Sequence, residues 1–98
     1  MFIMGVMRTK NIFAVDLNLL KVFSALVAER SVTKAASSVG LSQPAVSHAL
    51  RRLRDLFDDE LFIRTAEGMQ PTDRCQELAP AVDASLKMLQ DALTVKVD

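Results

Sequence analysis

Gln43, Ser47, His48, Arg51 and Arg52 bring an amide, a hydroxyl, an imidazole and two guanidiniums into one short stretch. Those are the groups that hydrogen-bond base edges and phosphate oxygens in the major groove of duplex DNA. Gln43 has the paired donor and acceptor that adenine takes, and Ser47 can adapt to either base edge. His48 can donate to guanine or to a backbone oxygen, depending on its protonation. The same inventory argues against catalysis. One histidine, one cysteine (Cys75) and carboxylates scattered over polar faces supply no nucleophile–base pair and no metal-ligand spacing. Neither an enzyme, a cofactor nor a metal site is expected, and Cys75 reads as a small hydrophobe.

The stretch from Ser42 to Phe57 reads S-Q-P-A-V-S-H-A-L-R-R-L-R-D-L-F. Val46, Leu50, Leu53 and Phe57 recur at the period of one helical face. At about 100° per residue, Pro44, His48, Arg51, Arg52 and Asp55 then point away from that stripe, with Gln43, Ser47 and Arg54 flanking it. Ser42 is a good N-cap, and Pro44 falls in the first turn, where its missing N–H costs little. One face is built for burial and the other for polar contact. A solvated amphipathic helix would show the same pattern, so its neighbours decide.

Asp16 can cap a first helix to about Arg30, with Leu19 or Leu20, Phe23, Leu26 and Val27 inward and Asn18, Lys21, Ser24 and Glu29 outward. Ser31 opens a shorter helix in which Val32, Ala35, Ala36 and Val39 share a face, and small Ala35 and Ala36 permit close approach. Gly40 sits where that helix must stop, at a left-handed position. Two helices joined by so short a turn make a helix-turn-helix, whose second helix is placed for the major groove. A helical hairpin in a bundle is the rival reading.

Glu60 to Thr65 (E-L-F-I-R-T) is rich in strand formers, Ala66-Glu67-Gly68 turns, and Met69 to Thr72 can return as an edge that Pro71 limits. That hairpin is a wing, sealed by Leu61 and Ile63 or by Phe62 alternating with them. Arg64 is its candidate contact to the DNA backbone or minor groove. A final helix over 73–93, capped by Thr72, spaces Cys75, Leu78, Val82, Leu86, Leu89 and Leu93 close to a heptad seam. So long a seam implies pairing with a second chain, the alternative being packing on the first helix alone. Pro80 should kink or stagger that helix.

The chain has 98 residues, half of them hydrophobic, and zero net charge. It is expected to be mainly α: a winged helix-turn-helix of three helices plus a two-stranded β wing, followed by a long C-terminal linker or dimerisation helix. The divisions are a loosely ordered extension over 1–15, the winged domain over 16–72, the linker helix over 73–93 and a frayed end over 94–98. Overall charge foretells no polyanion, yet Arg51, Arg52 and Arg54 outnumber Asp55 on the central helix while the following loop is acidic. No apolar run approaches a membrane span, and the opening M-F-I-M-G-V-M lacks the order of a secretory signal. Met1, Met4 and Met7 leave the start open, and residues 1–15 can be a non-native leader. A single cysteine suits a reducing cytoplasm.

From Asp16 to Leu93 the chain resembles the N-terminal DNA-binding domain of LysR-type bacterial transcriptional regulators. The resemblance rests on D-L-N-L-L-K-V-F (Asp16–Phe23), S-V-T-K-A-A (Ser31–Ala36), L-S-Q-P-A-V-S (Leu41–Ser47), L-R-R-L-R (Leu50–Arg54), E-L-F-I-R-T (Glu60–Thr65) and P-T (Pro71–Thr72). R-L-R-D-L-F-D-D-E-L-F and L-A-P-A-V are most similar to the branch of nodulation and aromatic-catabolism regulators, which also carries a proline in the last helix. The resemblance implies that Gln43, Pro44, Ser47 and His48 approach bases, with Arg51 and Arg52 further along. It puts Ser31, Thr33 and Lys34, beside Ser42, on the phosphate backbone and makes Arg64 the wing arginine. Leu78, Val82, Leu86, Leu89 and Leu93 are the dimerisation candidates, and the expected partner is double-stranded DNA bearing an interrupted palindrome. Two departures stand out: His48 where many relatives have arginine, and Arg74-Cys75 where Ala-Gly is usual after the wing threonine. Family members continue into an effector domain that senses a small-molecule inducer. The chain is thus expected to be an excised domain or a truncated regulator. A dimerising protein-interaction module without specific DNA binding is the rival function.

Overall fold

A computed structural model of the chain describes residues 10–97. A 3-10 turn at Ile12–Ala14 precedes helices α1 (Asn18–Glu29), α2 (Val32–Val39) and α3 (Gln43–Phe57). A hairpin of β1 (Phe62–Thr65) and β2 (Gly68–Pro71) follows, then helix α4 (Asp73–Leu93). The helix-turn-helix is α2–α3 and the wing is β1–β2, an antiparallel pair in which Phe62 faces Pro71 and Arg64 faces Met69.

Each helix begins and ends for a local reason. The hydroxyls of Ser31, Ser42 and Thr72 accept from the backbone N–H groups of Lys34, Ala45 and Cys75, at 3.2, 3.2 and 3.1 Å. Helix α1 starts differently: Leu17 is its N-cap without a side-chain bond. Asp16 Oδ1 instead accepts from the Asn18 N–H at 3.0 Å, so the predicted cap acts one residue early. Gly40 (φ 70°) closes α2 in the left-handed conformation, and Leu41 N–H reaches back to the Ala36 carbonyl at 3.0 Å. Pro80 lies inside α4, which runs through it without a break in the helix. Pro80 is exposed, so the backbone acceptor it leaves without a helical donor lies on the solvent side of the turn.

Phe23, Phe62, Leu26, Leu53, Leu61, Val46 and Cys75 are fully buried and form the centre of one core. Phe23 stands between Phe57 and Phe62, with ring centroids 5.9 and 6.3 Å away and tilted planes. Ala35 and Ala36 are buried where α2 meets its neighbours, as their small size allows. In the wing, Leu61 and Phe62 are both buried and Ile63 is exposed, so the expected alternation fails. Leu61 is left-handed (φ 65°), which turns two consecutive side chains inward.

Helix α4 packs its first half on this core through Cys75 and Val82, with Leu78 and Leu86 partly covered. Ser24 Oγ donates to Asp83 Oδ1 at 3.0 Å and ties α4 to α1. Beyond Leu86 the helix leaves the domain, and Met88, Leu89 and Leu93 are exposed. Within the expected 1–15 extension, residues 1–9 lie outside the described residues. Residues 10–15 hold the 3-10 turn, and Lys10 Nζ donates to the carbonyls of Asp55, at 2.8 Å, and Leu56 at the end of α3. Residues 94–97 are non-helical and exposed. No described helix is long and apolar enough to cross a membrane.

Candidate nucleic-acid interface

Helix α3 divides sharply between its faces. Val46, Ala49, Leu50 and Leu53 are buried, while Gln43, Pro44, Ser47, His48 and Arg51 are all exposed. Ala49 is buried although it lies outside the periodic set of Val46, Leu50, Leu53 and Phe57. The side chains of Gln43, Ser47, His48 and Arg51 bond to no other described residue, so their donors and acceptors face solvent. A shallow groove of about 240 Å³ runs between α1 and α3, bordered by Asn18, Lys21, Val39, Leu41, His48 and Arg52.

The candidate phosphate-binding residues lie on the caps of α2 and α3, in the first turn of α2, on α3 itself and on β1. Ser31 and Ser42 use their oxygens as acceptors within the helix caps, and each keeps its O–H proton to donate outward. Thr33 and Lys34 are exposed in the first turn of α2, beside the partial positive charge of its N-terminus. Arg64 is exposed on β1. Arg52 is engaged within the domain: Nη1 lies 3.3 Å from Asp16 Oδ2, with 47% of the arginine side chain exposed. The Asn18 backbone N–H, then the Asn18 side chain and Arg52, hold the Asp16 carboxyl below the usual carboxylate range. The guanidinium still has donors to spare for a phosphate.

Arg54 is the residue whose role the sequence did not disclose. It flanks the apolar stripe, yet its Nε donates to the Glu60 carbonyl at 2.7 Å and Nη2 to the Phe62 carbonyl at 3.0 Å. A spacing rule sees only its side of the helix, because its partners are backbone atoms of the next element. Asp59 is similar. Its Oδ2 accepts from the Thr72 hydroxyl at 2.7 Å and from the Leu61 N–H at 2.8 Å, and these two bonds hold its carboxyl below the ordinary range.

Cys75 has no site chemistry. It is fully buried, and burial with the nearby Asp59 charge pushes its thiol up to about 11. Among the described residues no group of three or more His, Cys, Asp or Glu is placed to hold a metal ion.

A helix-turn-helix with a two-stranded wing, its second helix apolar within and polar without, is the fold of a winged-helix DNA-binding domain. The family model described as "Bacterial regulatory helix-turn-helix protein, lysR family" matches residues 17–76. The chain belongs to that family. It is 50% identical to the HTH-type transcriptional activator NagR of a Ralstonia species over 82 residues, which are 84% of this chain and 27% of that one. Nodulation protein D 1 of Mesorhizobium japonicum is 53% identical over 75 residues, 76% of this chain and 24% of the relative. The chain therefore spans about a quarter of the length of the curated relatives it matches. Among solved structures, a probable transcriptional regulator of Pseudomonas aeruginosa superposes with TM-score 0.79 at 52% identity, covering 83% of this chain and 27% of that one. A complex of the BenM DBD with catB site 1 DNA shares the fold, with TM-score 0.75 at 24% identity over 81% of this chain and 89% of that one.

Proposed function

We propose that this chain binds double-stranded DNA sequence-specifically as the DNA-binding domain of a LysR-type bacterial transcriptional regulator, with α3 in the major groove. The single observation that carries the reading is the unpartnered outer face of α3, where Gln43, Pro44, Ser47, His48 and Arg51 stand clear of a buried inner face. In this arrangement those five residues meet base edges. Ser31, Thr33, Lys34, Ser42, Arg52 and Arg64 hold phosphates on either side. Two chains pair through α4, whose exposed Leu89 and Leu93 extend the seam begun by Leu78, Val82 and Leu86, and set two recognition helices on an interrupted palindrome. Inducer sensing belongs to the effector domain of a longer protein, working in the cytoplasm.

The test is selection of bound duplexes from a random pool, followed by titration of the recovered sequence against salt. The reading expects an enriched palindromic site and an affinity that falls steeply as salt rises. No enrichment, together with the absence of any salt-dependent retention on duplex DNA, would leave the dimerising protein-interaction module in its place.

A further inference from the structure

We propose that Arg54 is a positioning residue that fixes the wing relative to the recognition helix, so that Arg64 reaches the DNA site α3 occupies. The proposal rests on the DNA-binding reading above.

The segment between α3 and β1 is held from two sides. From α3, the Arg54 guanidinium takes the carbonyls of Glu60 and Phe62 in its fork. From the start of α4, the Thr72 N–H donates to the Leu61 carbonyl at 2.9 Å. The Asp59 carboxylate joins the Thr72 hydroxyl to the Leu61 N–H. Leu61 sits between these anchors at φ 65°, a conformation that a leucine rarely adopts and that persists only where its surroundings determine it. Its strain is the sign of a connector with one permitted shape.

That shape decides where the wing goes. It sends both Leu61 and Phe62 into the core, and β1 leaves the domain from Phe62 with Arg64 two residues further on. A lysine at position 54 would keep the charge but lacks the planar fork that binds two carbonyls at once. Without the fork, Leu61 can relax and the wing departs at another angle. Arg54 need not touch DNA to govern the wing contact.

The test is a double-mutant cycle on the full chain, read as affinity and salt dependence for a duplex recovered by selection. In the wild-type background, Arg64→Ala should weaken binding several-fold and flatten the log–log salt slope by about 0.9, the value of one phosphate on B-DNA. In the Arg54→Lys background the same replacement should change both by less than half as much. An equal effect of Arg64→Ala in both backgrounds would overturn the positioning role while leaving DNA binding intact. No effect of Arg64→Ala in the wild type would overturn the wing contact and this proposal together. Amide exchange keeps the question open to refutation should Arg54→Lys prove poorly folded. In Arg54→Gln, Gly68–Gln70 should exchange faster while Val46–Leu53 stay protected, and unchanged wing exchange would also overturn it.

Discussion

Leu53→Ala and Ser47→Ala change opposite faces of the same helix and should fail in opposite ways. Leu53 is fully buried at the centre of the core, whereas Ser47 is exposed. Truncating a fully buried leucine removes its transfer free energy and leaves a cavity, at a cost of about 2–5 kcal/mol. A domain of this size has roughly 5–15 kcal/mol in total, so Leu53→Ala should remove a large fraction of the stability. At about 4–8 °C per kcal/mol, melting followed by circular dichroism should drop by roughly 10 °C or more. Ser47→Ala should stay within about 0.5 kcal/mol of wild type, as exposed replacements do, and lose DNA affinity instead. Protein concentration must be equal throughout, because the pairing proposed for α4 would make melting depend on it. A Ser47→Ala protein that melted as early as Leu53→Ala would refute the assignment of the two faces.

Three further outcomes follow from particular groups. The folded Asp59 carboxyl lies below its ordinary value, so its stabilising contribution is complete above about pH 5 and is lost as pH falls below about 4, through the folded value. Acid unfolding of Asp59→Asn should therefore begin from a less stable protein and show a shallower pH dependence there, and an unchanged acid limb would count against the Thr72–Asp59–Leu61 link. The Cys75 thiol, pushed up to about 11 and fully buried, should resist alkylation by iodoacetamide at pH 8 and react only in denaturant. Labelling of the native protein at the rate of a free thiol would contradict that burial. Replacing Leu89 and Leu93 with Asp should lower the sedimentation mass from dimer to monomer without loss of helix, since both side chains are exposed in the isolated chain; a dimer of undiminished strength would place the subunit contact elsewhere.

The helix-turn-helix was legible because its determinants are local. Ser31, Gly40 and Ser42 mark boundaries by their own side-chain and backbone chemistry, and the stripe from Val46 to Phe57 follows from helical period alone. The polar face of α3 was legible for the same reason, being the complement of that stripe. The wing was half legible. Strand formers and a turn announce a hairpin, but the side that faces inward depends on the left-handed Leu61, which no alternation rule anticipates. Charge is all that the sequence shows of Arg54, Arg52 and the acidic loop that holds Asp59, whereas their structural roles come from partners brought close only by folding: the Glu60 and Phe62 carbonyls, Asp16, and the cap of α4. The seam of α4 was visible as a period, but period alone does not tell that its first half covers this chain's own core and that Leu89 and Leu93 run past it.

The most direct measurement is the ratio of affinities of wild type and Gln43→Ala for a selected duplex, its single-base variants and a scrambled duplex. Loss of one bidentate base contact should cost about 1–3 kcal/mol on the selected duplex, vanish for the variant altered at the contacted base pair, and leave scrambled DNA nearly unaffected. Equal loss on all of them would mean that the exposed face of α3 holds DNA without reading it.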